Sequence, residues 1–270
     1  MVHLKNLQEI QHLRESAQLV SRTLAEVAGH MREGVTTLEL DKVAEDFITG
    51  HNARPAFKGY KVGREVFPST LCTSVNQQVV HGIPNDVPLK SGDIVSVDCG
   101  VHLNGYYGDS AYTFGVGQLS DEVIKLCHVT YDSLYKGIEK SRVGFRVGDI
   151  SEAIQSYCEG HGYGVVRDLV GHGIGRSLHE APQVPNFGRK GTGRKLKKGL
   201  TICIEPMINM GTHEVYTGQD RWTINTLDEL PSAHYEHMVL IDKGEAEVLS
   251  TFEYIENIIE APYKLEFTNG

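Results

Sequence analysis

Two alternating apolar and polar runs, IVSVDCGVHL and YYGDSAYTF, flank Asn104-Gly105 and predict a β-hairpin across that dipeptide. A two-residue turn there pairs Leu103 with Tyr106 and Asp98 with Ala111. Side chains alternate along strands with period two, so Asp98 and Asp109 fall on one face as diagonal neighbours, roughly 7–8 Å apart or less. Two like charges at that spacing repel, which calls for a positive group between them. The apolar flanks, among them Ile94, Val97, Tyr112 and Phe114, predict a buried site rather than a solvated polar face.

The remaining pattern is mixed. Residues 7–31 carry apolar positions at helical spacing (Ile10, Leu13, Ala17, Val20, Leu24, Val27), with Gly34 as the stop. Thr36 or Thr37 caps a second helix with Leu40, Val43, Ala44 and Phe47 inward. Residues 53–69 read as loop, and 71–75 as a strand. Further helices follow over residues 119–140 and 148–161. Comparing the halves, Arg32, Gly34, Leu40, Val43 and Phe47 match Arg142, Gly144, Ile150, Ala153 and Tyr157, each at an offset of 110 residues. This is a faint internal duplication of helix, Arg-x-Gly, helix and strands. Each half then ends in acid-bearing strands: Asp98 and Asp109 in the first, Glu205 (LTICIEPMI) and Glu236 (SAHYEHMVLI) in the second.

Composition narrows the setting. The 270 residues suffice for a sizeable core, and 40% hydrophobic with 23% charged content is ordinary for a globular protein. No run approaches the roughly 18 apolar residues of a membrane span, and MVHLKNLQEIQHLRES holds no signal-peptide core. Five scattered cysteines without C-x-x-C spacing argue against a disulfide framework or zinc ribbon and point to a reducing, cytoplasmic setting. A net charge of −9 argues against sequence-specific nucleic-acid binding. The basic loop at residues 189–198 (RKGTGRKLKK) reads as solvated or as a face for RNA or an acidic partner. The tail at residues 265–270 carries no assignment.

Several motifs are absent. Gly171-His172-Gly173-Ile174-Gly175 lacks the dinucleotide spacing, and His179-Glu180 begins like H-E-x-x-H but is followed by Pro182 and Gln183. No G-x-S-x-G elbow or Walker loop occurs. What remains is four carboxylates on strands and one glycine-flanked histidine: Asp98, Asp109, His172, Glu205 and Glu236. Four buried anions without counter-charge would be prohibitive, and two divalent ions would neutralise them. Carboxylates with a single imidazole suit manganese, iron(II) or cobalt better than a structural zinc site does, and a metal pair with a shared water is a hydrolytic device. His81, His179 and His237, taken singly, read as hydrogen-bonded structural histidines more readily than as catalytic ones.

The segments VVHGIP, VDCGVHLNGYYGDSAYTF, VGHGIG, LHEAPQVPN, ICIEPM and SAHYEHMV resemble the successive motifs of type I methionine aminopeptidases, over residues 8–248. The resemblance implies one catalytic domain over residues 1–270 of the α/β (α+β) class. Its expected form is a pita-bread fold with two pseudo-two-fold-related halves (about 7–115 and 117–250) and an antiparallel sheet covered by helices. It implies two divalent ions per subunit (cobalt, manganese, iron or zinc) held by Asp98, Asp109, His172, Glu205 and Glu236, with Asp109 and Glu236 bridging. By the same match His81 contacts the substrate near the scissile region, His179 steadies the tetrahedral intermediate and Glu205 shuttles the proton. Tyr60, Phe67, Cys72, Leu178 and Trp222 resemble the lining of the methionine pocket, and a tight neighbouring pocket would select a small second residue. Two departures stand out: residues 61–67 run longer than the common short bacterial form, and Leu178 replaces a frequent aromatic. The implied partners are nascent polypeptide N-termini (Met1-Val2 of this chain among the candidates), and residues 189–198 are one candidate surface for any docking to the ribosome. The implied oligomeric state is a monomer. The rival readings are an Xaa-Pro aminopeptidase or dipeptidase, which usually carries a substantial N-terminal domain, and a binding protein on the same fold, which would have lost metal ligands.

Overall fold

A computed structural model describes residues 2–259; Met1 and residues 260–270, the tail at 265–270 among them, lie outside the described residues. Helix α1, Leu7–Ala28, begins at a capping box in which Asn6 accepts from Glu9 N while the Glu9 carboxylate accepts from Asn6 N. Helix α2, Thr37–Gly50, repeats the device with Thr36 and Glu39. Helix α3, Asp121–Glu139, is capped by Ser120, and α4 spans Val147–Gly160. Both ends of α2 map onto those of α4 with a displacement of 110 residues, and Leu40 and its counterpart Ile150 are both fully buried.

The hairpin has the register its turn dictates. Strand Ile94–Leu103 pairs with Tyr106–Gly115, Leu103 opposite Tyr106 and Asp98 opposite Ala111. Asn104 and Gly105 both take positive φ (53° and 82°), as a type I′ turn requires. The far edge of Ile94–Leu103 carries Leu71–Val75, with Cys72 opposite Asp98, and a short strand Arg54–Pro55. Asp41 of α2 ties this edge down, its carboxylate accepting from Leu71 N at 2.7 Å. A second sheet runs in the order Glu180–Pro185, Val170–Gly173, Thr201–Ile204, His237–Leu240, Glu247–Val248.

The two sheets meet at one isolated antiparallel bridge, Ala111 to Glu236, where Glu236 N donates to Ala111 O at 2.9 Å. A single row of the ladder therefore reads Cys72, Asp98, Ala111, Glu236. Alternation sends Val95, Val97, Tyr112 and Phe114 to the opposite face, where they join helix residues such as Leu24 and Leu126 in the main core. Helix α1 comes so close to the hairpin that a Cβ at Gly108 would lie 2.5 Å from the Ser16 carbonyl carbon. The region 53–69, read as loop, contains a small hairpin, Lys61–Val62 against Glu65–Val66, whose cross-strand bonds the alternation of so short a stretch does not reveal.

Candidate active site and metal centre

The carboxyl groups on the sheet face converge on one cavity of about 300 Å³. Its lining includes Asp98, Asp109, His172, Glu205 and Glu236. His81, His179, Tyr60, Phe67, Cys72, Leu178 and Trp222, also singled out from the sequence, line the same cavity. His237 does not: it is buried elsewhere, its Nδ1 2.8 Å from Ser250 Oγ and its ring stacked on Phe252 at 3.8 Å. That histidine is structural.

Each acid sits where the backbone leaves it little choice. Asp98 and Asp109 share the hairpin face, and Glu236 is fixed by the bridge to Ala111. Ser110, beside Asp109, donates to Glu236 O at 2.6 Å and reinforces that joint. Glu205 follows strand Thr201–Ile204, and Asn186 donates to its carbonyl at 2.9 Å. His172 occupies Val170–Gly173, its Nδ1 bonded to Gly173 O at 2.9 Å. That bond places the proton on Nδ1 and leaves the Nε2 lone pair facing Asp109 and Glu205, at 3.8 and 3.6 Å. The glycines flanking His172 serve the sheet rather than a ligand. A Cβ at Gly171 would lie 2.4 Å from Cys203 O, and one at Gly173 2.5 Å from Ala181 O.

Electrostatically the centre is short of positive charge. Burial, then mutual repulsion with Glu236 and Asp98, pushes Asp109 well above the usual carboxylate range. Burial raises Asp98 to about 7, and burial with the charges of neighbouring acids lifts Glu205 and Glu236 well above their ordinary value. His172 cannot supply the charge, because burial followed by the nearby His179 lowers it to about 3. Buried oxygens of Asp98, Asp109 and Glu236 (Oδ1, Oδ1 and Oε1) have no hydrogen-bond partner. Atoms of Asp109, His172, Cys203 and Glu236 lie within 4.8 Å of one another. Anionic oxygens without donors, beside an imidazole lone pair, form a donor set that fits divalent cations.

The other wall is apolar and partly open. Phe67, Cys72 and Leu178 are buried, at 2%, 5% and 4% exposure, and Trp222 meets Phe67 edge-on at 5.2 Å. Tyr60 does more than line the wall: its hydroxyl lies 2.7 Å from Nδ1 of exposed His179. Were the phenol to donate to Nδ1, the His179 proton would stand on Nε2. His179 itself precedes strand Glu180–Pro185, so no zinc-protease helix forms. His81 holds φ 59°, and a Cβ on the following Gly82 would lie 2.2 Å from Thr73 O. An imidazole in that left-handed conformation, locked by a glycine neighbour, is strain concentrated at the cavity.

The cavity also includes Phe57, Val62, Val80, Asp168, Leu169 and Met207, none of them singled out from the sequence. Val79-Val80 beside His81, and Met207 two residues beyond Glu205, were within reach of a proximity argument. Val62 arrives on the small hairpin, which Glu65 holds against Arg221, beside Trp222, through a 2.6 Å ion pair. The segment at 61–67 thus forms part of the pocket rim and leaves Tyr60 and Phe67 in the lining.

The sequence matches metallopeptidase family M24 over residues 11–243. A methionine aminopeptidase of Clostridium perfringens is 52% identical over 250 residues, covering 93% of this chain and 99% of that one. Its counterpart in Clostridium acetobutylicum is 49% identical over 254 residues, covering 94% and 100%. The crystal structure of methionine aminopeptidase from Rickettsia prowazekii has a TM-score of 0.90 at 43% identity, over 93% of this chain and 100% of that chain. With its pita-bread α+β fold, its acid-lined cavity and these relatives, the chain belongs to metallopeptidase family M24, among the methionine aminopeptidases.

Proposed function

We propose that the cavity hydrolyses the peptide bond after an N-terminal methionine, with divalent ions that Asp98, Asp109, His172, Glu205 and Glu236 would hold. The observation that carries this reading is the donor-poor cluster of buried carboxylates set directly against an apolar pocket. When bound, such ions supply charge compensation and a nucleophilic water at neutral pH. The chain's own residues do the rest. Phe67, Cys72, Leu178 and Trp222 receive the methionine side chain and exclude water from it. His81 faces the substrate near the scissile bond. The raised carboxyl of Glu205 takes the proton released during attack and returns it to the leaving amine. His179, oriented by Tyr60, donates from Nε2 to the carbonyl oxygen as negative charge develops there.

The finer assignments belong to the same proposal: two ions per chain drawn from cobalt, manganese, iron or zinc, a small second residue, and a monomer acting on nascent N-termini in the cytoplasm. One catalytic unit built from halves at about 7–115 and 117–250 accounts for the matched helices. Among the described residues no helix is long and apolar enough to cross a membrane. Ribosome docking would use residues 189–198, where Arg189, Lys190, Arg194, Lys195, Lys197 and Lys198 are exposed. Lys198 already pairs with Asp242 at 2.9 Å, and Leu196 is buried as an anchor. A peptide panel varying the first two residues, run metal-free and after addition of each ion, tests the function. Release of methionine from Met-Ala and Met-Gly peptides, restored by metal, is expected; preferential cleavage of Xaa-Pro bonds would overturn the substrate.

A further inference from the structure

Cys203 lies in the strand Thr201–Ile204 that leads into Glu205, and it is fully buried. The register sets it opposite Met238, so Glu236 is its diagonal neighbour on the same face. The sulfur also lies within 4.8 Å of ligand atoms on Asp109, His172 and Glu236. Two of those partners, Asp109 and Glu236, present buried oxygens with no donor. The cysteine is therefore part of a converging four-residue donor set.

That set differs in kind from the carboxylate-rich centre around it. Two oxygens, one imidazole nitrogen and one sulfur are the four-coordinate complement favoured by zinc and other thiophilic ions, whereas manganese and magnesium prefer oxygen. We propose that Asp109, His172, Cys203 and Glu236 form a second, sulfur-containing coordination mode that holds one thiophilic ion in competition with the carboxylate-bound pair. Binding forms a metal–sulfur bond, and the thiol proton passes to solvent. Asp109 and Glu236 belong to both donor sets, so the two modes exclude one another. Cys203 makes the centre discriminate among metals by softness, and it exposes the centre to capture by zinc or cadmium. This inference rests on the metal-centre reading above.

The test uses the full chain, stripped of metal, as wild type, Cys203→Ser and Cys203→Thr. Each is titrated with Cd²⁺ and, separately, with Mn²⁺, following the heat of binding and the ultraviolet sulfur-to-cadmium charge-transfer absorption. Thermal melting of the metal-free variants verifies their folding. Wild type is expected to show the sulfur band saturating at one Cd²⁺ per chain. Both variants should lose the band and bind Cd²⁺ more weakly by at least the roughly 10–100-fold that loss of an outer-shell partner costs, with a much smaller change for Mn²⁺. Mn²⁺ binding with no sulfur band for Cd²⁺ in wild type would overturn the sulfur mode alone. A band retained in both variants would overturn it as well, by placing the sulfur on another cysteine. Failure of wild type to bind Mn²⁺ or Cd²⁺ would remove the metal-centre reading, and this inference with it.

Discussion

The two walls of the cavity are held in different ways. The acid wall stands largely on strands: Asp98 and Asp109 in the hairpin ladder, His172 in Val170–Gly173, and Glu236 at the bridge to Ala111. The mouth stands on segments outside regular strands, where Tyr60, His179 and Trp222 are tied by side chains: a 2.7 Å hydrogen bond, an edge-on ring contact and an ion pair next door. Backbone ladders fix charge that would otherwise fly apart. Side-chain ties leave the mouth adjustable while aiming one histidine. The two walls should therefore fail differently.

The largest effect is expected at the acid wall. Asp109→Asn and Glu236→Gln should each lose metal stoichiometry together with activity, by more than the ~10–100-fold cost of an outer-shell partner. Metal analysis beside kcat measures both losses, and a variant keeping full metal content would remove that residue from the ligand set. His179→Ala belongs to the other class: metal stays, while kcat falls by about 10²–10³-fold, the usual cost of one oxyanion donor. Loss of metal from this variant would erase the distinction between the walls.

Stability of the metal-free protein sharpens the contrast through pH. The acids titrate above their unfolded values, Asp98 at about 7 and Asp109, Glu205 and Glu236 raised well above the ordinary range. A raised acid binds more protons folded than unfolded, so its contribution to stability is lost as pH rises through the folded pKa. The buried histidines act oppositely and at lower pH. His172 at about 3 and His81 at about 4 are neutral in the fold, and they cost stability only below about pH 6.5, where the unfolded chain protonates them. Above about pH 6.5 the acids dominate the slope. Metal-free protein should melt at progressively lower temperature as pH rises from there, and Asp98→Asn should flatten the trend. A flat profile would mean that burial and mutual repulsion do not raise these acids in the fold.

The smallest effect is expected for Tyr60→Phe, which removes the bond that orients His179 but keeps the ring. A lost hydrogen bond of about 1 kcal/mol corresponds to a roughly fivefold fall in kcat, with KM and metal content little changed. A rise in KM with kcat unchanged would make Tyr60 a wall residue only.

Much of this was legible in the residues themselves. Asn104-Gly105 with alternating flanks set the hairpin register, and that register put Asp98 and Asp109 on one face, because turn chemistry and strand alternation are local. Helical spacing with a threonine cap at 36 or 37 located α2, helical spacing over 148–161 located α4, and the 110-residue offset related the two. The motifs then named the whole acid wall. Other features depended on contacts between distant segments. Whether Glu236 stands beside Asp109 rests on a single bridge between strands more than a hundred residues apart. The glycines around His172 answer to carbonyls of neighbouring strands, and Tyr60 meets His179 across 119 residues. The small hairpin that brings Val62 to the rim is held by an arginine far along the chain. Local periodicity determines which residues face together along one strand; only packing in three dimensions decides which strands, and which loops, face each other.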